Sequence, residues 1–345
     1  MDFQIALLLA QDGITNGAIY ALLALALVLV FAVTRVIFIP QGEFVAYGAL
    51  TLVMIQAGTV PATLWLLVGA GVLAAALDAR HALASGQKGR IANVLAWNAG
   101  YPLVLAGLLY ALPLATLPLA VQVLLALLVV VPLGPLMYRL IYQPVAAASV
   151  LILLIISVAV HVGMVGLGLL FFGAEGSRTP AFSEARFELG PMMVTGQTLW
   201  VVVASIVLIV ALYQFFGRTL YGKALRATAM NRNGARLMGI SPALAGRLTF
   251  LLAAAIGALS GVLIAPITTI YYDTGFLIGL KGFVAAIVGG LASYPIAAAG
   301  ALLVGLLEAF SSFWASAYKE VIVFTLIIPV LLWRSLTSHH VEEEE

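Results

Sequence analysis

The chain has 345 residues, of which 63% are hydrophobic and only 9% charged, with a formal net charge of +2. A soluble globular protein carries about 25% charged and roughly 45–50% apolar residues, so a water-soluble fold is excluded and the bilayer must solvate most of this chain. The absence of cysteine excludes disulfides, thiol catalysis and thiolate metal sites.

About 20 apolar residues in a helix cross the ~30 Å hydrocarbon layer. In chain order, apolar stretches predict spans near 14–36, 44–56, 62–77, 94–112, 117–140, 150–172, 199–216 and 248–270. Three more follow near 276–291, 296–310 and 321–333. The expectation is an all-α polytopic integral membrane protein with about eight to eleven transmembrane or re-entrant helices. It forms one domain over 1–338, with an acidic tail over 339–345. The first stretch is read as a retained span, because Asp2 and Asp12 precede it and no Lys or Arg occurs before Arg35. The short, glycine-containing stretches at Phe44 and Phe276 are read as possible re-entrant or broken helices.

Orientation follows from the Lys/Arg bias of cytoplasmic loops. Residues 217–247 hold Arg218, Lys223, Arg226, Arg232, Arg236 and Arg247 without an acidic residue, which places this segment in the cytoplasm. Arg35, Arg80, Lys88, Arg90, Arg139 and Arg334 fall at the same side. Residues 173–198 mix basic and acidic side chains, as an outer loop does. An odd number of crossings then puts the N-terminus outside and the C-terminus inside. The tail, His339 and His340 followed by Glu342 to Glu345, reads as a solvated end.

Within the cytoplasmic segment, Leu225, Thr228 and Ala229 keep helical spacing, and Arg232 and Arg236 follow it. Residues 231–234 break the run, and a second short helix is predicted from Ala235 to Met238, ended by Gly239. From spacing alone this is either a partner-docking element or merely a positive-inside loop.

Glu43, Lys281 and Glu308 lie at membrane depth. A charge there costs several kcal/mol unless paired, and such residues mark permeation pathways. Lys281 is expected to pair with Glu308 or Glu43, as a structural brace or as part of a path. Glycine and proline cluster at 38–44, and again at 279–283 and 289–295. Such interruptions point to broken helices at a midplane site or to close helix packing. His161 stands isolated in an apolar span and is read as a buried hydrogen-bonding residue.

No Gly-rich nucleotide loop ending in Gly-Lys-Ser or Gly-Lys-Thr occurs, nor the zinc-protease His-Glu-x-x-His or the esterase Gly-x-Ser-x-Gly pattern. The chain is therefore read as non-enzymatic, with no catalytic or metal site, no cofactor and no nucleic-acid partner.

Residues 16–22 (Asn-Gly-Ala-Ile-Tyr-Ala-Leu), followed by Val36-Ile37-Phe38 and Gln41-Gly42-Glu43-Phe44, resemble the start of branched-chain amino-acid ABC permeases of the LivH type. Residues 222–229 with 235–240 resemble that family's coupling segment. Leu248-Thr249-Phe250, Lys281-Gly282-Phe283 and Gly289-Gly290-Leu291 continue the match in order. The resemblance implies a multi-pass permease in the plasma (inner) membrane of a bacterium. It implies a second permease subunit (LivM-like, or a second copy), two cytoplasmic ATPase subunits and a periplasmic substrate-binding protein. Gln41, Glu43, Lys281 and Glu308 are expected near the translocation path. Arg226, Asn231, Ala235, Leu237, Met238, Gly239 and Ile240 are expected on the ATPase-coupling surface. The solute is expected to be a branched-chain amino acid, or urea, an amide or an aromatic acid as in close relatives. An ion-coupled secondary transporter and a pathless membrane scaffold are the rival readings.

Three departures from the family pattern stand out. Pro40-Gln41 replaces Ala-His before Gly42-Glu43, and Asn233-Gly234 replaces a Glu-Ala pair in the coupling segment. Residues 78–114 read as an insertion before Tyr142-Gln143-Pro144, the counterpart of a Tyr-Arg-Pro element.

Overall fold

A computed structural model describes residues 3–86, 89, 91–189 and 192–337. Lys88, Arg90 and the tail from His339 to Glu345 lie outside the described residues. Among the described residues, nine helices are long and apolar enough to cross a membrane. They are α1 (Phe3–Thr34), α3 (Thr63–Ala84), α4 (Ile91–Ala111), α5 (Leu119–Val145), α6 (Val150–Phe172), α7 (Gly196–Arg218), α10 (Pro242–Ile264), α12 (Tyr294–Trp314) and α13 (Ser316–Trp333). Two shorter apolar helices, α2 (Gln41–Gln56) and α11 (Thr274–Val288), complete the eleven predicted elements. At 16 and 15 residues they are about 24 and 23 Å long, short of the ~30 Å hydrocarbon layer. The polar segment folds as α8 (Leu220–Met230) and α9 (Arg232–Leu237).

The core is a bundle of α1, α2, α10, α11 and α12, with α1 running through its middle against the other four. Lipid tails are as apolar as leucine, so helices in a membrane associate by close packing rather than by escape from water. The contacts are accordingly made by small residues. Gly13 and Gly17 of α1 meet the backbone of α12 at Leu302, Gly305 and Leu306, where an added Cβ would clash. Gly42 of α2 meets Gly275 and Gly279 of α11 backbone to backbone. Outside this core, α6 and α7 expose most of their apolar surface, as expected of helices facing lipid.

Several boundaries differ from the sequence reading. Helix α1 begins at Phe3 rather than near Ile14, so that Asp12 falls within the helix, at an exposed position. Helix α10 ends at Ile264 rather than near 270, because Pro266 has no backbone N–H with which to continue the hydrogen-bond ladder. Gly279 and Gly282 do not interrupt α11; they lie inside a continuous helix, packed against Gly42 and Leu23. Breaks lie instead at Arg35, just before the 38–44 cluster, with a left-handed φ of 61°, and, as the sequence marked, within 289–295, where Gly290 and Leu291 have φ of 65° and 56°. At the second break Leu291 N–H reaches back to Ala286 C=O at 2.9 Å, closing the helix end in the manner of a Schellman turn.

The loop over residues 173–195 holds a short antiparallel pair, β1 (Arg186–Leu189) with β2 (Met192–Thr195), which the helical reading did not anticipate. This loop is pinned to the chain that follows α10. Ser177 and Ile270 exchange both backbone hydrogen bonds at 2.9 Å, and Arg178 donates to Pro266 C=O at 2.8 Å. At the opposite end of the bundle, Leu225 of α8 packs with Leu29 and Val33 of α1 and Ala245 of α10. The molecule thus has two distinct ends, one capped by the strand pair and one by α8–α9.

Candidate functional site

Two buried polar clusters contain the four residues expected near a path. In the first, Lys281 projects from the middle of α11 and its Nζ donates to Glu308 Oε1 of α12 at 2.5 Å. The same ammonium lies 3.2 Å from Glu320 Oε1 of α13. Tyr20 of α1 donates its hydroxyl to Glu308 Oε2 at 2.5 Å, and its ring lies 5.9 Å from the Lys281 ammonium. Both oxygens of Glu308 are thereby used, and the cation sits between two carboxylates. Because three helices supply the charged groups, the cluster ties α11, α12 and α13 to α1.

This cluster forms one wall of a cavity of about 610 Å³ at the strand-pair end of the bundle. Asp12, Asn16 and Tyr20 of α1, Thr198 of α7, Thr274 of α11 and Lys319 of α13 add polar groups to the wall, and Leu277 and Ile278 add apolar ones. The space combines cationic, anionic, hydroxyl and apolar groups, the inventory needed to hold a small solute with both charged and apolar parts.

The second cluster lies at the start of α2. Glu43 is fully buried, and its Oε1 is 3.0 Å from Nδ1 of His161 on α6. The imidazole stacks on Phe276 of α11 with ring centroids 4.5 Å apart. Gln41 Nε2 donates to Ala253 C=O of α10 at 2.9 Å. Glu43 Oε2 and Gln41 Oε1 are buried without a hydrogen-bond partner among the described residues. The structure therefore divides the expected set. Lys281 and Glu308 share one cavity wall and one ion pair, whereas Glu43 pairs with His161 and not with Lys281.

Sequence reasoning missed Tyr20, Glu320 and the role of His161. Tyr20 is surrounded by apolar residues and carries no charge to draw attention. Glu320 falls at the very start of the last span, where an acidic residue reads as an interfacial end. His161 was identified as a hydrogen-bonding residue, but its partner is 118 positions away, and no local pattern links the two.

At the other end, α8 and α9 are joined by a one-residue break. Thr219 caps α8 by accepting from Gly222 N–H at 3.0 Å, and Asn231 caps α9 by accepting from Gly234 N–H at 2.7 Å. Because asparagine satisfies an otherwise orphaned donor there, the second helix starts at Arg232, three residues earlier than predicted. Gly239, at a left-handed φ of 82°, ends the segment. Leu237 and Met238 are 89% and 83% exposed, and Met230 and Leu220 are similarly bare. Arg226, Asn231 and Gly239 are also on the surface, and Ile240 is partly covered. Ala235 is buried and faces the bundle, so it supports the segment from within and does not belong to its outer face.

A family model described as "Branched-chain amino acid transport system / permease component" matches residues 91–331. The chain is 27% identical over 333 residues to the high-affinity branched-chain amino acid transport system permease protein LivH of Salmonella typhimurium, covering 93% of this chain and 91% of that protein. The same identity and coverage hold for LivH of Escherichia coli. BraD of Pseudomonas aeruginosa, a permease protein of the same printed description, is 31% identical over 203 residues, 57% of this chain and 66% of its own length. No solved structure matches the chain. The helices long enough to span a bilayer and the kinship to permeases make this a multi-pass protein of the inner membrane. With a family match over more than two thirds of its length and relatives aligned almost end to end, the chain belongs to the permease components of the branched-chain amino acid transport system family.

Proposed function

We propose that the chain forms the translocation path of an ABC importer for branched-chain amino acids or a related small solute, and couples it to separate ATPase subunits. The observation that carries this reading is the exposed apolar tip of α8–α9, Leu237 and Met238. It is set among Arg218, Lys223, Arg226, Arg232 and Arg236. A cluster of arginines belongs at the cytoplasmic face, where no hydrocarbon covers such a tip, and a groove on a cytoplasmic partner suits it. The outer face of Arg226, Asn231, Leu237, Met238, Gly239 and Ile240 would dock there.

On this orientation the N-terminus is outside and the C-terminus cytoplasmic. The cavity beside Lys281 and Glu308 then opens toward the side from which a periplasmic binding protein delivers solute. Its charged wall would meet the amino and carboxylate groups of an amino acid, and Leu277 and Ile278 its side chain. Gln41 and Glu43 would act deeper in the path, at the α2–α11 contact. A second permease subunit, LivM-like or a second copy, would complete the path.

Co-purification and reconstituted uptake test the reading together. The expected result is recovery of a nucleotide-loop ATPase with this chain and uptake that requires ATP. Leu237→Glu should abolish both while the chain stays folded. Solute uptake by the purified chain alone, driven by an ion gradient without ATP, would replace the importer with a secondary transporter.

A further inference from the structure

A second cavity, of about 420 Å³, opens between α3, α4, α5 and α10. It lies on the lateral face of the bundle toward the α8–α9 end. Its polar pole consists of Asp78, Arg139 and Arg247, and Trp97, Asn98 and Tyr101 of α4 form the facing wall. Helix α4 falls in the stretch, 78–114, that the sequence set apart as an insertion.

The charges in this pocket do not balance. Arg139 Nε donates to Asp78 Oδ1 at 2.8 Å, and a second nitrogen of the same guanidinium bonds the same oxygen. That pair is closed. Arg247 has one long contact, to Gln143 Oε1 at 3.5 Å. Its Nε is buried without a hydrogen-bond partner among the described residues. Two guanidiniums thus share one carboxylate in a groove whose other walls, Leu67, Pro102 and Leu136 among them, are apolar. An uncompensated cation beside hydrocarbon is costly, and an anion that brings its own apolar tail would relieve the imbalance and fill the groove.

We infer that this cavity binds the phosphate of an anionic phospholipid through Arg247, beside the closed Arg139–Asp78 pair, with its acyl chains lying along α3 and α4. Three features of the groove fit that ligand. The guanidinium fork matches phosphate geometry. Trp97, 71% exposed at the mouth, is the amphipathic ring that sits at headgroup level. Basic pockets between membrane helices are recurrent sites for anionic headgroups. The inference stands apart from the proposed transport cycle, since it requires neither the identity of the solute nor an ATPase.

The test is native mass spectrometry of the delipidated full-length chain, titrated with phosphatidylglycerol, phosphatidylcholine or inorganic phosphate. One equivalent of phosphatidylglycerol should be retained in preference to phosphatidylcholine. Arg247→Gln should weaken that retention about fivefold, the equivalent of ~1 kcal/mol for one basic residue at the membrane surface. Trp97→Ala, an exposed position whose change does not threaten folding, should weaken it about twofold, a smaller share of the same ~1 kcal/mol scale. Arg218→Gln, at the same end of the bundle but outside the groove, should leave it unchanged. Equal retention of the two lipids, or retention indifferent to both Arg247→Gln and Trp97→Ala, would overturn the inference. Complete displacement of phosphatidylglycerol by inorganic phosphate would overturn it too, by assigning the pocket to the free anion.

Discussion

Glu308 and Glu43 are both carboxylates at membrane depth, yet their surroundings differ in a way that separates a brace from an unfinished site. Glu308 has a cation, a phenol and a second helix end around it, and each of its oxygens is bonded. Glu43 has one imidazole on one oxygen and, among the described residues, nothing on the other. In a medium where an unpartnered polar group costs free energy, the first arrangement holds the helices together and the second leaves capacity for another partner. The first borders a wide cavity and the second sits at a tight helix crossing. The polar groups of the molecule are therefore not equivalent, although the sequence presents them as similar isolated charges in apolar stretches.

Removing one member of each cluster should sharpen the contrast. The largest effect is expected for Lys281→Met, which leaves Glu308 and Glu320 facing each other without their cation. Breaking a buried pair from one side costs about 3–5 kcal/mol, to be read as lost thermal stability of the purified chain. Adding Glu308→Leu to Lys281→Met should recover part of that loss, since the Tyr20 hydroxyl then lacks its acceptor, and no recovery would mean that the pair is not the brace. Tyr20→Phe removes a hydrogen bond to a charged group and should cost about 1.5–3 kcal/mol in the same assay.

Gly42→Val examines the crossing beside Glu43. Its side chain would press on the backbone of Gly275 and Gly279, and overpacking of this kind costs about 1–3 kcal/mol. Unchanged stability would show that α2 and α11 separate more readily than the glycine contact suggests. His161→Phe keeps the ring stacked on Phe276 but leaves Glu43 with no partner. A loss of about 1–3 kcal/mol is expected, reversed by pairing the change with Glu43→Leu. The smallest effect on stability belongs to Leu237→Glu, within about 0.5 kcal/mol because the side chain touches little, although transport should be lost with it. A large loss of stability there would show that the tip of α9 is a structural element and not a docking surface.

The helices were legible because the bilayer imposes a single strong rule: backbone groups in hydrocarbon must bond internally. All eleven apolar stretches predicted from the sequence are helices in the structure. The errors were at ends and special positions. Arg232 to Gly234 were taken as part of the break at Asn231, whereas the Asn231 side chain lets the helix resume at Arg232, and for Gly279 the sequence left interruption and close packing open, of which the structure shows packing. In both places the residue type was informative, but its meaning depended on what lay against it.

The sequence by itself determined that the chain is a polytopic membrane protein, where its helices run and which end carries the arginines, because hydropathy and charge act locally along the chain. It also narrowed the partners of Lys281 to Glu308 or Glu43. Only the tertiary structure decided between them, brought Tyr20 and Glu320 to the same ammonium, and set His161 against Glu43. It alone showed Ala235 turned inward while Leu237 and Met238 face out. Those choices rest on which helices cross and at what depth. In a membrane, the close approach of small residues on both partners governs such crossings, and one chain position does not reveal the glycine it will meet.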